Sequence, residues 1–251
     1  MSTPIDISED AGVRYLHFGS EWIQGAMRIR RPYALELAYT REMMAGLLLR
    51  DADEWPRSAL LIGLGAASLT RFVHHHCPQA RIQVVEIEPR VVAAARQFFK
   101  LPDEDARLAI HVGDGARYVM ETERHFDLIL VDGFDRHARA GALDTSPFYQ
   151  AVRARLSGKG LMSVNLFGRS RGFRASVERI ITAFDDRAIA FPSCDSGNVV
   201  AFGAEGERIE VPLAELRERA RALKDRTGLD LGPTVTRLEQ AGSLPGGRLI
   251  L

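Results

Sequence analysis

The stretch "LLIGLGAASLTRF", residues 60–72, constrains this chain more than any other. A short apolar run ends in Gly63-Leu64-Gly65, and a helical pattern begins at once. Glycines at such a junction permit a tight turn, in which bare backbone and the start of the next helix approach an anionic or nucleotide-like ligand. A single Gly-x-Gly does not identify that ligand, because glycine after a strand is often turn chemistry alone. The surroundings narrow the choice. From Trp55 onward strands are expected at 58–62, 81–86, 107–112, 126–131 and 160–166, with helices at 67–76, 89–99, 115–122, 145–156 and 171–185. Short apolar strands separated by helices predict a doubly wound, mostly parallel α/β sheet.

The two ends of the chain refine that expectation. "RAIAFPSCDSGNVVAFGA" offers strands at 187–192 and 198–203 around a turn-rich Ser193–Gly197. A terminal antiparallel hairpin points to a class I methyltransferase-like (Rossmann-like) sheet, since a plain dinucleotide fold would add another βαβ crossover. Residues 13–29 predict a β-hairpin broken at Gly19-Ser20, too small to fold alone. A helix should follow, with Leu35, Tyr39, Met43 and Leu47 on one face. This gives a small N-terminal element over 1–50 and a nucleoside-binding domain over 51–251. Its tail is expected to carry an amphipathic helix, with Leu213, Leu216, Ala220 and Leu223 on one stripe.

Charge and composition exclude several classes of partner. Lys plus Arg and Asp plus Glu are 33 each, so no global field recruits nucleic acid or an anionic membrane. No apolar run reaches the roughly 20 residues of a membrane span, and the polar "MSTPIDISED" is not a secretory signal. Cys77 and Cys194 make no disulfide framework and suit a reducing, cytoplasmic setting. "HHHC", residues 74–77, is not expected to bind metal, because adjacent helical side chains point about 100° apart.

Several acidic positions fall at or just beyond strand carboxyl ends, where open α/β sheets place their ligands. Glu86 closes "IQVVE", where a carboxylate can accept both hydroxyls of a ribose. Glu88 before Pro89 reads as helix N-terminal electrostatics. Asp114, between Gly113 and Gly115, can accept from the exocyclic amine of adenine or cap the next helix. Asp132 follows the strand ending at Val131, and Asp135 lies three residues on. Paired carboxylates there can hold a cation and take a proton from an incoming nucleophile. His137 in the same Arg-rich loop reads as exposed and idle, and Cys194 as turn material.

"LLIGLGAAS", "VVEIEP", "GDGARYV" and "DLILVDGFD" running on through "LDTSPFY" together resemble the spermidine synthase (polyamine aminopropyltransferase) family over about residues 13–203. In the last stretch Leu143, Thr145, Phe148 and Tyr149 keep the family's spacing. The resemblance implies that Gly63, Gly65 and Glu86 bind the nucleoside of decarboxylated S-adenosylmethionine, with Asp114 and Gly115 at the adenine. It implies that Asp132 takes a proton from the attacking amine and that Asp135 holds the substrate ammonium. Gln24, Tyr39 and Tyr149 would line the site of a small-molecule amine. The nucleoside would be a co-substrate, with no resident cofactor or metal, and the protein a homodimer.

The departures keep alternatives open. The family's first loop has an acid where this chain has Ala66, and that acid faces the cationic aminopropyl end of the donor. Arg136 and Arg139 replace neutral family residues, and would repel a polycation if they pointed inward. Methyl transfer from S-adenosylmethionine, or a non-catalytic nucleoside-binding or assembly protein of the same fold, is the alternative. An NAD oxidoreductase fits the terminal hairpin and the Gly-Asp-Gly strand end poorly.

Overall fold

A computed structural model describes residues 4–19, 22–51, 53–133, 140–194 and 197–251. Its centre is a seven-stranded sheet in the order β6-β5-β4-β7-β8-β10-β9. The strands are β4 (Ser58–Ile62), β5 (Arg81–Glu86), β6 (Leu108–Val112), β7 (Phe126–Val131), β8 (Leu156–Phe167), β9 (Ala188–Ala190) and β10 (Asn198–Ala204). β4 through β8 pair in parallel, whereas β10 runs antiparallel to both β8 and β9. The expected reversal is therefore present, and it is made by a single strand inserted between two others.

Helices cover both faces: α2 (Ser68–His76), α3 (Pro89–Phe98), α4 (Gly115–Glu121), α5 (Ser146–Ala154) and α6 (Phe173–Ala183). Alternation along the strands sorts the core into two layers. Leu61, Leu130 and Leu161 pack with Phe72 and Val91 on one side, and Leu60, Ile129 and Met162 with Val119, Phe148 and Ile180 on the other. β8 begins four residues earlier than its apolar run predicts. Its register on β7 jumps from Phe126–Leu156 to Leu128–Leu161, so residues 157–160 bulge.

The N-terminal element holds one strand more than expected. β1 (Asp6–Asp10), β2 (Val13–His17) and β3 (Ile23–Arg28) form an antiparallel meander. "DISED" carries no apolar alternation because β1 is an exposed edge held through its backbone. The expected turn at Gly19-Ser20 falls partly outside the described residues. A compact cluster of Leu16, Met27, Ala66 and Phe99 joins this sheet to the α/β body.

The helix expected across Leu35 to Leu47 is shorter. α1 covers Ala38–Met43 and tightens into 3₁₀ turns over Met44–Leu48. There every residue is buried, so no amphipathic stripe marks the change. A Cβ on Gly46 would stand 3.2 Å from the ring of Trp55. In the tail, α7 (Leu213–Thr227) buries Leu216, Ala220 and Leu223, as the stripe predicts. A further helix, α8 (Gly232–Gln240), and a small pair, β11 (Glu210–Pro212) with β12 (Arg248–Ile250), were not foreseen.

Candidate functional site

The carboxyl ends of β4, β5, β6 and β7 are stitched together by main-chain hydrogen bonds just beyond the strands. Gly63 N–H donates to Val85, Asp132 N–H to Ile62 and Gly113 N–H to Glu86, each at 2.9 Å. These bonds bring the glycine loop, Glu86, the Gly113–Gly115 turn and Asp132 to one edge. Gly63 has φ +90°, and a Cβ on it would lie 2.2 Å from the carbonyl oxygen of Asp132. Only glycine satisfies both conditions. Gly65, at φ +49°, turns the loop into α2.

Glu86 is buried, and its two oxygens accept from Leu64 N–H (2.8 Å) and Glu88 N–H (2.9 Å). Desolvation raises its pKa, and those backbone donors oppose the rise. The carboxylate is thus fixed between the loop and the start of α3. Ile87 beside it is 67% exposed, a large apolar side chain left bare at the site edge. Of the two roles open to Asp114, the cap is realised: Oδ1 accepts from Arg117 N–H at 3.0 Å. Gly115 lets α4 press on β4, since a Cβ there would meet Ile62 Cγ2 at 2.3 Å.

Asp132 is held from two directions. Tyr39 Oη on α1 donates to Oδ2 at 3.1 Å, and Asn165 Nδ2 on β8 donates to Oδ1 at 3.0 Å. Desolvation pushes the carboxyl above its ordinary value, and the two neutral donors restrain it. The Tyr39 hydroxyl is pushed well above its own ordinary value by burial and then by the Asp132 charge. Among the described residues Asp132 makes no ion pair with Lys, Arg or His. The structure therefore brings together Asp132 and Tyr39, which the sequence proposed, and Asn165, which it did not. A polar residue inside the apolar run "LMSVNLF" was the available signal. Asp135 lies outside the described residues, as do Arg136, His137 and Arg139.

β3 lies along the glycine loop. The Gln24 carbonyl oxygen is 3.2 Å from where a Gly65 Cβ would be, and a Cβ on Gly25 would stand 2.6 Å from Ala66 Cβ. Ser68 Oγ donates to the Ala26 carbonyl at 2.9 Å. Ala66 is consequently buried beneath the N-terminal sheet.

Tyr149 takes a different place from the one expected. It is fully buried, and its hydroxyl donates to Asp144 Oδ1 at 3.0 Å. Asp144 Oδ2 accepts from Ser176 Oγ (2.7 Å) and Arg179 Nη2 (2.6 Å). The ring belongs to the core packed by α5 and α6, so its position gives no support to a substrate contact. Among the described residues no group of three His, Cys, Asp or Glu could hold a metal ion. His75 stacks on Tyr33 with ring centroids 3.8 Å apart, and Cys77 is buried.

A model of the spermine/spermidine synthase domain matches residues 36–166. A polyamine aminopropyltransferase of Chromobacterium violaceum is 37% identical over 247 residues, covering 98% of this chain and 94% of that protein. A probable spermidine synthase structure from Corynebacterium glutamicum superposes with TM-score 0.74 at 20% identity, over 88% of this chain and 83% of that one, and attests the fold. The structure of human methyltransferase-like protein 13 in complex with SAH gives TM-score 0.66 at 26% identity, over 76% of this chain and 93% of that one.

Proposed function

Because this chain belongs to the spermine/spermidine synthase family, we propose that it is a polyamine aminopropyltransferase, moving the aminopropyl group of decarboxylated S-adenosylmethionine to a small amine. Asp132 carries the reading. An amine attacks carbon only when neutral, and near neutral pH it arrives as an ammonium. A desolvated carboxylate that makes no ion pair among the described residues accepts that proton better than an ordinary one. Tyr39 and Asn165 aim it by hydrogen bonds that leave its charge in place. The freed nitrogen pair then forms a C–N bond at the methylene beside the sulfonium. The C–S bond breaks, its electrons return to sulfur as a neutral thioether, and the positive charge passes to the product nitrogen. Alignment supplies the rest of the acceleration.

The donor's adenosine fits the neighbouring groups. Glu86, fixed by two backbone donors, offers its remaining lone pairs to the ribose hydroxyls. Ile87 offers an apolar surface to the base, and Gly63 and Gly65 leave the loop backbone approachable. Asp114 and Gly115 stand at the adenine, with Asp114 Oδ2 the oxygen not used in the cap. Gln24 lines the loop from β3, and the family resemblance gives Asp135 the role of holding the substrate ammonium. A chain with two cysteines and no disulfide framework in its sequence supports a cytoplasmic protein. The exposed Trp22 and Ile23 support a homodimer, and the balanced charge supports a small-molecule partner over nucleic acid. Among the described residues no helix is long and apolar enough to cross a membrane.

One observation favours a second reading, methyl transfer from intact S-adenosylmethionine: Ala66 presents no carboxylate to a donor's aminopropyl ammonium. Supplying each donor with a panel of diamines and analysing products by mass spectrometry decides. Aminopropylated amine with release of methylthioadenosine supports the first reading. Methylated product and S-adenosylhomocysteine would replace it with the second.

A further inference from the structure

Arg71, on α2, is a fully buried cation that makes no ion pair with a carboxylate among the described residues. Buried guanidinium groups ordinarily pair with an acid, because desolvating an unpaired charge is costly. Here the guanidinium serves three main-chain carbonyls from three separate segments. Nε donates to Pro32 at 2.8 Å, and Nη1 donates to Phe99 at 2.6 Å and to Ala66. Burial lowers its pKa to about 10, which leaves it charged at neutral pH.

The Ala66 contact has the chemical consequence. Ala66 O belongs to the peptide that leads into Ala67, a non-glycine residue in the left-handed region (φ 55°, ψ 24°). Alanine does not favour that conformation, and it would relax if the peptide were free to rotate. Ala67 N–H donates back to Leu64 O at 2.8 Å, and Leu64 N–H is the donor that fixes Glu86. One hydrogen-bonded chain therefore runs from the guanidinium through Ala66, Ala67 and Leu64 to the carboxylate assigned to the ribose. The Pro32 contact anchors the same side chain to the segment that leads to α1 and Tyr39.

We propose that Arg71 is a positioning residue for the nucleoside donor: it holds the 63–67 loop in its binding conformation before any ligand arrives. This rests on the functional reading above. The planar fork of arginine reaches several carbonyls at once, which the single ammonium of lysine cannot reproduce.

The test measures donor affinity in Arg71→Lys, Arg71→Met and each combined with Ala67→Gly, using methylthioadenosine and decarboxylated S-adenosylmethionine as probes well below the melting temperature. Both Arg71 variants should weaken the probes by about ten- to a hundred-fold, the range expected for losing a charge-assisted hydrogen bond. KM for the donor should rise while kcat at saturating donor and KM for the amine hold. Ala67→Gly, which tolerates left-handed backbone, should restore a large part of the affinity in either background. Loss of melting temperature with unchanged affinity would make Arg71 a purely structural clamp and overturn the proposal. So would failure of Ala67→Gly to rescue. If Arg71→Met does not fold, Arg71→Lys and its Ala67→Gly partner give the same comparison. Wild-type protein that bound neither probe would sink the functional reading instead. The loop claim would then be decided by amide exchange at Ala67, which must quicken in Arg71→Lys if the proposal holds.

Discussion

Tyr39 and Asp132, 93 residues apart in sequence, share a hydrogen bond of 3.1 Å that joins the segment after the N-terminal sheet to the end of β7. The bond places a neutral donor on the carboxylate assigned to proton transfer. It also makes the charge state of that carboxylate depend on where α1 sits.

Replacing the carboxylate itself separates chemistry from binding. Asp132→Asn should lower kcat by about 10²–10⁴-fold, the usual contribution of a general base, while the Kd for methylthioadenosine stays within a factor of about three, under 1 kcal/mol. Single-turnover kinetics beside calorimetric titration check this, and unchanged turnover would remove Asp132 as the base.

Tyr39→Phe tests the restraint on its pKa. Hydrogen bonds from Tyr39 and Asn165 favour the ionised form and oppose the desolvation that raises the pKa. Removing one donor lets the pKa climb further, so less of the base is ionised at a given pH. The acidic limb of kcat/KM against pH should therefore move to higher pH, by about one unit for one hydrogen bond to a charged group. Asn165→Leu should move it in the same direction. An acidic limb that stayed in place in both variants would show that Asp132 does not set it.

Ala66→Asp asks what position 66 faces. The side chain would enter the cluster of Leu16, Met27 and Phe99 against the backbone of Gly25. Urea unfolding should show a loss of about 3 kcal/mol, as expected for an unpaired charge forced into an apolar site. Full stability together with tighter binding of the decarboxylated donor would mean instead that the residue reaches the ligand.

The tail can be probed through Glu42, which is 1% exposed on α1 and paired with Arg237 and Thr234 of α8. Arg237→Met strands that buried carboxylate and should cost about 2–3 kcal/mol of stability. Adding Glu42→Leu should recover a large part of it, and two losses that simply added would argue against coupling. If α8 supports α1, the same Arg237→Met variant should also shift the acidic limb as Tyr39→Phe does.

The α/β body was legible because its signals are local. Apolar runs such as "SALLI" and "FDLILV" end in glycine or aspartate, and Glu88 and Thr145 cap the helices that carry Pro at their starts. β1 gave no such signal, since a polar edge strand is held by backbone bonds to β2 rather than by a buried face. Ala66 was legible as a missing acid, but its burial under Gly25 depends on how the N-terminal sheet docks. Tyr149 matched the family's spacing, yet the same spacing serves an inward-facing ring on α5. An apolar strand containing one amide, such as Asn165, reads as a core strand. The partnership of that amide with Asp132 exists only once β7 and β8 lie side by side.

The reversed direction of β10 governs where the rest of the chain must travel. Leaving the sheet at Ala204, opposite Leu161 on β8, the polypeptide exits at the end remote from the crevice. It returns by way of α7, whose Arg219 reaches the Leu48 carbonyl, and α8, whose Arg237 meets Glu42 and the Pro192 carbonyl. The last fifth of the molecule is thus a buttress raised from the floor to the rim, leaning on the helix that bears Tyr39. Shortening the chain from its carboxyl end would leave all seven central strands intact and still loosen the partner of the carboxylate proposed as the base.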